Sequence, residues 1–322
     1  MYGSIQFAGY LALLVTPATL LLGAVRGPPE LRVGAVGLPL GVALVGTVVA
    51  ATERPRLSRL DGPGLARADA VDALAVPAAA VVTYGLSVHG GLGPVLAAAV
   101  VGLLVGGGLP RIDGPAYCGT FVGMASPAVF PSLEAVALAG TVAGLAFVAT
   151  TDSFAGFGGK YGTVALFGCI VAGSLLGVDY AAAGALDSRL VAPVVLVAVV
   201  AAVATVALRT RGGASSVVAS AAVGVVAGVA FPSLFPELGT TLAAVAFCAS
   251  FVGMSSDDRL ATTGQVAAAG LLCGLVYLAV APSLAGAGGK LGTTAFVSCL
   301  AVAGVLELSG LLPSSGRDSP AK

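Results

Sequence analysis

The chain has 322 residues, of which 57% are hydrophobic and 9% are charged, and its mean hydropathy is +1.03. Soluble proteins carry a charge on about 25% of their residues, so this composition excludes an ordinary soluble domain. The 15 basic and 15 acidic residues give a formal net charge of zero, and the basic residues form no face that suits a nucleic acid. We therefore expect an integral membrane protein that has the lipid bilayer as its partner and no nucleic acid partner.

Hydrophobic runs near the length that an α-helix needs to cross about 30 Å of hydrocarbon follow one another along the chain. The runs are continuous and lack the alternation of a membrane β-barrel, which predicts an all-α polytopic membrane protein. The first run has no basic residue before it and is too long for a signal-peptide core, so we interpret it as a retained helix. In chain order, the predicted spans are 5–25, 33–51, 71–88, 93–109, 133–150, 161–177, 190–208, 217–235, 262–281 and 291–311.

Two shorter apolar stretches, 115–130 and 240–255, either cross the membrane or re-enter it. The total is therefore about 10–12 transmembrane segments, and these two stretches decide the topology.

An internal repeat organises most of the chain. Residues 118–169 align with residues 248–299 without a gap, and 23 of the 52 positions are identical. Each copy is preceded by two further hydrophobic runs. The sequence thus predicts two tandem repeats, a first membrane domain at 71–177 and a second at 190–311, after an N-terminal helix pair at 1–55.

Loop charges favour one orientation of the repeats. Four crossings in each repeat would make the copies parallel, and five would invert the second copy. Basic residues are enriched in short cytoplasmic loops, so the loop 52–70, which contains Arg54, Arg56, Arg59 and Arg67, is placed inside. Five crossings also place the loop of Arg209 and Arg211, the loop of Arg259 and the tail with Arg317 and Lys322 inside, whereas four would place Arg209 and Arg211 outside. An inverted 5+5 arrangement after two extra helices fits better.

A Gly-x-Gly-Gly-Lys-x-Gly-Thr octet occurs once in each copy, where a loop enters a hydrophobic run. Glycine permits a positive φ and a close backbone approach, while a helix N-terminus and a lysine both favour an anion. The octets therefore predict two symmetry-related, positively polarised substrate sites. Their candidate residues are Gly158, Gly159, Lys160 and Thr163 in the first copy, and Gly288, Gly289, Lys290 and Thr293 in the second.

The octets are not nucleotide P-loops, because Tyr161 and Leu291 stand where that motif needs Ser or Thr after the lysine. The competing structural interpretation is a tight interhelical turn whose lysine reaches the lipid headgroups. Recurrence of the same lysine in both copies supports a functional role.

A Phe-Val-Gly-Met-x-Ser segment also occurs in each copy, followed by residues that break a helix. Broken helices that face each other across a repeat interface build the substrate sites of many transporters. The alternative is a short packed helix in which methionine fills gaps. The substrate-site candidates here are Phe121, Met124 and Ser126, and their counterparts Phe251, Met254 and Ser256.

Catalytic and metal-binding patterns are weak. The five cysteines form no CxxC pair and His89 is the sole histidine, so we expect neither a metal site nor a cofactor, and cysteines that serve as small packing residues.

These patterns favour a multi-pass transporter or channel of the plasma membrane, which moves a small, anionic solute through a site at the repeat interface. A membrane-embedded lipid-modifying enzyme and a non-catalytic subunit of a membrane complex remain as alternatives. Assembly as a homo-oligomer also stays open. Acidic and histidine clusters, which membrane enzymes use for acid-base chemistry, are missing from the sequence.

Overall fold

A computed structural model describes residues 2–25, 37–57, 64–180 and 188–310, and in these ranges the secondary structure is helical, as the sequence predicts. A π-helical turn, Gly85–His89, extends the third helix, and a 3-10 turn, Ser188–Leu190, precedes the eighth. The helices are α1 Tyr2–Val25, α2 Gly37–Leu57, α3 Arg67–Tyr84, α4 Pro94–Gly108, α5 Asp113–Val122, α6 Leu133–Ala149, α7 Lys160–Leu176, α8 Val191–Thr210, α9 Ser216–Leu234, α10 Gly239–Val252, α11 Thr263–Val280 and α12 Lys290–Leu308.

Six of these segments are long and apolar enough to cross a membrane. They are Gly3–Val25, Arg67–His89, Val191–Thr210, Ser216–Leu234, Thr263–Val280 and Lys290–Leu308. Large apolar side chains also face outward, including Leu44, Leu74 and Leu175, which are 72%, 70% and 70% exposed. Contact with lipid removes the cost of that exposure, so the chain is a multi-pass membrane protein.

Some boundaries differ from those that the sequence predicts. Helix α2 continues to Leu57, so Arg54 belongs to a helix and not to the predicted loop 52–70. Arg59, Arg317 and Lys322, which supported the topology, lie outside the described residues, as does the start of the span 33–51. The two short stretches form helices α5 and α10, which have 10 and 14 residues and are each followed by turns.

Helices α3 to α7 form a first five-helix group. Glycines let α5 and α6 approach α3 closely: a Cβ atom built on Gly119 would lie 2.1 Å from the carbonyl oxygen of Val76, and one on Gly123 would lie 2.5 Å from that of Ala80. Residue numbers therefore rise together, and α5 runs parallel to α3. Close crossings of this kind are typical of small residues in membrane helices.

Helix α6 runs in the opposite direction to α3. Gly140 packs against Pro77, and Gly144 packs against Ala73, so the numbers rise in one helix and fall in the other.

Helices α8 to α12 form a second five-helix group with the same internal packing. Helix α10 is parallel to α8, because Gly253, just after α10, packs against Ala202, and Ser255, further along, accepts a hydrogen bond from Arg209. Helix α11 is antiparallel to α8, because Gly270 packs against Ala202 and Gly274 against Val195.

The two groups meet along α4 and α9, which are the second helices of their groups. Gly106 packs against Val218, Gly102 against Ala221, Ala99 against Gly224 and Leu96 against Gly228. The α9 number rises from 218 to 228 as the α4 number falls from 106 to 96, so these two helices are antiparallel over most of their length.

Helix α1 contacts both groups, at opposite ends of its own length. The Ser153 hydroxyl, after α6, donates to the carbonyl oxygen of Gln6 at 3.3 Å, whereas Ser283, after α11, packs against Gly23. Gln6 and Gly23 are 17 residues apart, which corresponds to about 25 Å of helix. Ser153 and Ser283 are therefore held about one membrane-crossing helix apart.

Candidate functional site

The two glycine-lysine turns, residues 156–163 and 286–293, have the backbone conformation that their glycines predict. Gly156 and Gly159 have φ of 81° and 82°, and Gly286 and Gly289 have φ of 88° and 83°. Side chains other than hydrogen are strained in this region, so glycine is needed at these positions. Gly159 and Gly289 are also the N-cap residues of α7 and α12.

Each turn pairs with the Phe-Val-Gly-Met segment of the other group. The backbone N–H of Ser256 donates to the carbonyl oxygen of Gly156 at 2.8 Å, and the N–H of Ser126 donates to that of Gly286 at 2.9 Å. The first turn thus contacts the second segment, and the second turn contacts the first segment. The sequence predicted that the turns and segments come together, but not this exchange.

Gly158 and Gly288 make the exchanged contacts close. A Cβ atom on Gly158 would lie 2.1 Å from the carbonyl oxygen of Phe251, and one on Gly288 would lie 2.5 Å from that of Phe121. A side chain at either glycine would therefore push the turn away from the segment.

The two lysines fold back onto the ends of the preceding helices. The Lys160 ammonium donates to the carbonyl oxygens of Thr150 and, at 3.1 Å, Thr151, and the Lys290 ammonium donates at 2.7 Å to that of Ala281. These carbonyls follow the last residues of α6 and α11, where a positive charge is favourable. Lys160 is 8% exposed, so its ammonium points into the protein and not toward lipid headgroups.

Thr163 and Thr293 are also turned inward. Each is fully buried, and its hydroxyl donates to the carbonyl oxygen four residues earlier, that of Gly159 at 3.3 Å and that of Gly289 at 3.2 Å. These hydroxyls stabilise the first turns of α7 and α12.

Four aromatic rings fill the space between α5 and α10. Phe121 and Phe251 have ring centroids 4.7 Å apart, and Tyr117 and Phe247 complete the cluster at 6.3 Å from each other. Tyr117 and Phe247 occupy matching positions in the two groups, 130 residues apart, as Phe121 and Phe251 do. This match of two aromatic residues is visible in the sequence, but it was not used to choose site candidates.

A cavity of about 370 Å³ lies where the first turn meets the second segment. Its size falls in the range of small-molecule sites, which is roughly 300–1,000 Å³. Its walls come from both five-helix groups. They consist of Phe121, Phe147, Thr151, Ala155, Gly156, Phe157, Gly158, Gly159, Lys160, Tyr161, Arg209, Ser216, Phe251, Met254 and Ser256.

Half of the sequence-derived candidates line this cavity, and half do not. Those that line it are Phe121, Gly158, Gly159, Lys160, Phe251, Met254 and Ser256. The other seven, which are Met124, Ser126, Thr163, Gly288, Gly289, Lys290 and Thr293, are absent from its walls. The cavity is therefore one-sided, although the two turns are alike.

Two arginines on this side escaped the sequence analysis as site residues. Arg209, at the end of α8, donates from Nη1 to the carbonyl oxygens of Gly253 at 2.8 Å and Ser255 at 2.7 Å. Arg259 lies over the ring of Phe157 at 4.4 Å and forms an ion pair of 2.8 Å with Glu53 of α2. In the sequence, each is a basic residue next to an apolar run, and this pattern was used only to decide which side of the membrane each loop lies on.

The five cysteines are buried and free, and Cys118 and Cys248 each donate to a backbone carbonyl, those of Tyr161 and Leu291. Among the residues that the structure describes, histidine, cysteine and acidic side chains form no group that could hold a metal ion.

Comparison of the chain with protein-family models, with curated proteins and with solved structures gives no match.

Proposed function

We propose that this protein is a membrane transporter or channel for a small anionic solute, with its site at the interface of two inverted five-helix repeats. The observation that carries the proposal is the 370 Å³ cavity, whose walls come from both groups and include the basic side chains of Lys160 and Arg209. Among the residues that the structure describes, no acidic side chain lines it. A cavity of this kind favours an anion.

The inverted relation is supported by the direction of matching helices. Helices α4 and α9 pack antiparallel, from the Gly102 and Ala221 contact to the Ala99 and Gly224 contact. If both cross the membrane, the two groups enter it from opposite sides. The separation of Ser153 and Ser283 along α1 agrees with this, because each serine belongs to the loop that precedes a glycine-lysine turn.

The depth of the short segments supports five crossings in each group. Gly119 of α5 is level with Val76 of α3, Gly123 is level with Ala80, and the Tyr84 hydroxyl donates to the Phe130 carbonyl at 2.6 Å. Helix α5 covers only about 15 Å by itself. Together with the turns that follow it, the segment accompanies α3 almost to the end of that helix.

Alternating access would follow from this architecture. In inverted-repeat transporters, the two halves rock about a central site and expose it to one side at a time. A one-sided cavity between two similar halves is what one end state of such a cycle requires. The Phe121 and Phe251 rings, at 4.7 Å, would then belong to the barrier between the two sides.

Uptake into proteoliposomes tests this function. The purified protein should give saturable uptake of at least one anion from a panel of chloride, phosphate, acetate and benzoate, relative to liposomes without protein. Met254→Trp, which fills part of the cavity, should reduce that uptake at least tenfold. Leu145→Trp places the same bulk at a side chain that is 65% exposed on α6, and it should leave uptake unchanged. Absence of protein-dependent uptake for all four anions would overturn the proposal.

A further inference from the structure

The Arg209 guanidinium has N–H groups that are available to a ligand. Its Nη1 supplies two N–H groups, and these donate to the carbonyl oxygens of Gly253 and Ser255. A guanidinium has five N–H groups, so three remain on Nε and Nη2. Within the described part of the chain these three have no protein acceptor, and the side chain lines the cavity. A fork of free N–H groups fits the two oxygens of a carboxylate.

A second positive charge lies on another wall of the same cavity. Lys160 is 8% exposed, and it lies at the start of α7, where the helix dipole adds a partial positive charge. Arg259, nearby, is already paired with Glu53. Neither Arg209 nor Lys160 forms a direct ion pair in the described residues. The charges of Asp152 and Glu53 act on Lys160, so Arg209 is the less compensated of the two and the stronger attraction for an anionic group.

Much of the remaining lining is aromatic and apolar, beside the hydroxyl residues Thr151, Ser216 and Ser256. This aromatic wall contains Phe121, Phe147, Phe157, Tyr161, Phe251 and Met254. The rings of Phe147 and Tyr161 contact each other, with centroids 5.5 Å apart and planes tilted by 40°. Chloride or phosphate would use the basic groups and leave this wall without a partner. Burial of apolar surface stabilises a bound ligand in proportion to the area removed from water, which an organic body can use and an inorganic ion cannot.

We infer that the cavity selects an organic carboxylate with an apolar body, held by Arg209 and Lys160 at its charged end and by the aromatic wall along its body. This inference rests on the proposed function and names the substrate class of the same site. Arg209 is then the residue that gives the cavity its preference for a carboxylate. In the first five-helix group, Ser87 stands four residues after Thr83, where Arg209 stands four after Thr205. At this matching position the guanidinium is thus found in the second five-helix group and not in the first.

Equilibrium binding of three probes to the detergent-purified protein tests the inference. Benzoate carries both features, benzyl alcohol has the ring without the charge, and chloride has the charge without the ring. We expect benzoate to bind at least tenfold more tightly than either of the others. Equal affinities for benzoate and chloride, or for benzoate and benzyl alcohol, would overturn the inference.

Two variants separate the two walls. Arg209→Ser should weaken benzoate at least tenfold and leave benzyl alcohol unchanged, whereas Phe147→Ala should weaken benzoate and leave chloride unchanged. Arg211→Ser removes an exposed basic residue two positions along, outside the cavity, and should change no affinity. If Arg209→Ser does not fold, Arg209→Lys keeps the charge but loses the fork, and its benzoate affinity should still fall.

The outcomes keep this inference distinct from the transport function. Saturable uptake of chloride or phosphate without binding of benzoate would contradict the carboxylate site and leave transport standing. Benzoate binding without any uptake would contradict the transport function and leave the carboxylate site standing.

Discussion

The backbones of Gly162 and Gly292 touch: a Cβ atom on Gly162 would lie 2.5 Å from the Cα atom of Gly292, and the reverse distance is 2.6 Å. These glycines are the third residues of α7 and α12, which cross within their first helical turns. Their neighbours are exchanged in the same way, because Gly159 approaches the carbonyl oxygen of Gly292, and Gly289 approaches that of Gly162. This crossing joins the two five-helix groups at the level of the site.

Replacing either crossing glycine should destabilise the protein. Gly162→Ala and Gly292→Ala both force α7 and α12 apart, and overpacking of this kind costs about 1–3 kcal/mol. Gly107→Ala is the matched control, since it also lies in a helix but has open space where its Cβ would be. Thermal unfolding in detergent should show a lower midpoint for the first two variants and an unchanged or higher midpoint for the control. Equal midpoints for all three would contradict the crossing.

The two lysines should share a structural role but differ in binding. Lys160→Met and Lys290→Met each leave helix-end carbonyls without their donor, which costs about 1–3 kcal/mol. Both variants should therefore unfold at lower temperature. Lys160 alone lines the cavity, so benzoate affinity should fall in Lys160→Met and stay unchanged in Lys290→Met. A loss of affinity in both variants would show that the site is not one-sided.

The ion pair between Arg259 and Glu53 should connect α2 to the cavity wall at Ala155. Glu53 is 2% exposed, and Arg259 also donates from Nε to the carbonyl oxygen of Ala155 at 2.9 Å. Removing one member of a buried ion pair costs about 3–5 kcal/mol, so Arg259→Ala should destabilise strongly. The double variant with Glu53→Gln should lose less than the two single losses combined. Additive losses in a denaturation experiment would contradict the coupling.

Cross-linking tests the antiparallel packing of α4 and α9. A cysteine pair at residues 96 and 228 should form a disulfide under mild oxidation, since a Cβ on Gly228 would lie 3.3 Å from that of Leu96. The protein used should lack its five native cysteines. A pair at residues 96 and 218, which have matching places in the two groups, should remain reduced. A disulfide in the second pair and none in the first would contradict the packing.

The sequence predicted the hydrophobic spans well, because a continuous apolar run is a local property. The helices α6, α8 and α11 begin and end within about two residues of the predicted spans. Positive φ at Gly159 and Gly289 was also expected, since the octet is a local turn. The end of α2 was not predicted, because Arg54 is charged yet remains in the helix.

Features that depend on long-range contacts were beyond the sequence. The octets predicted lysines close to a solute, but no local pattern showed that Lys160 and Lys290 also donate to the carbonyl oxygens just after the preceding helices. Which segment each turn would contact depends on how the two groups pack, and no local pattern encodes the exchange. Arg209 was overlooked for the same reason: its partners, Gly253 and Ser255, lie more than 40 residues away in the chain.

The proposed function depends most on the inverted relation of the two groups, and Ala155 and Ala285 offer a matched pair to measure it. They occupy the same position in the two glycine-lysine loops, 130 residues apart, and both are at least partly exposed. Single cysteines at these positions, on a background without native cysteines, can be labelled with a membrane-impermeant thiol reagent in oriented vesicles. Inverted groups predict labelling of residue 155 from one side and residue 285 from the other. Labelling of both from the same side would contradict it.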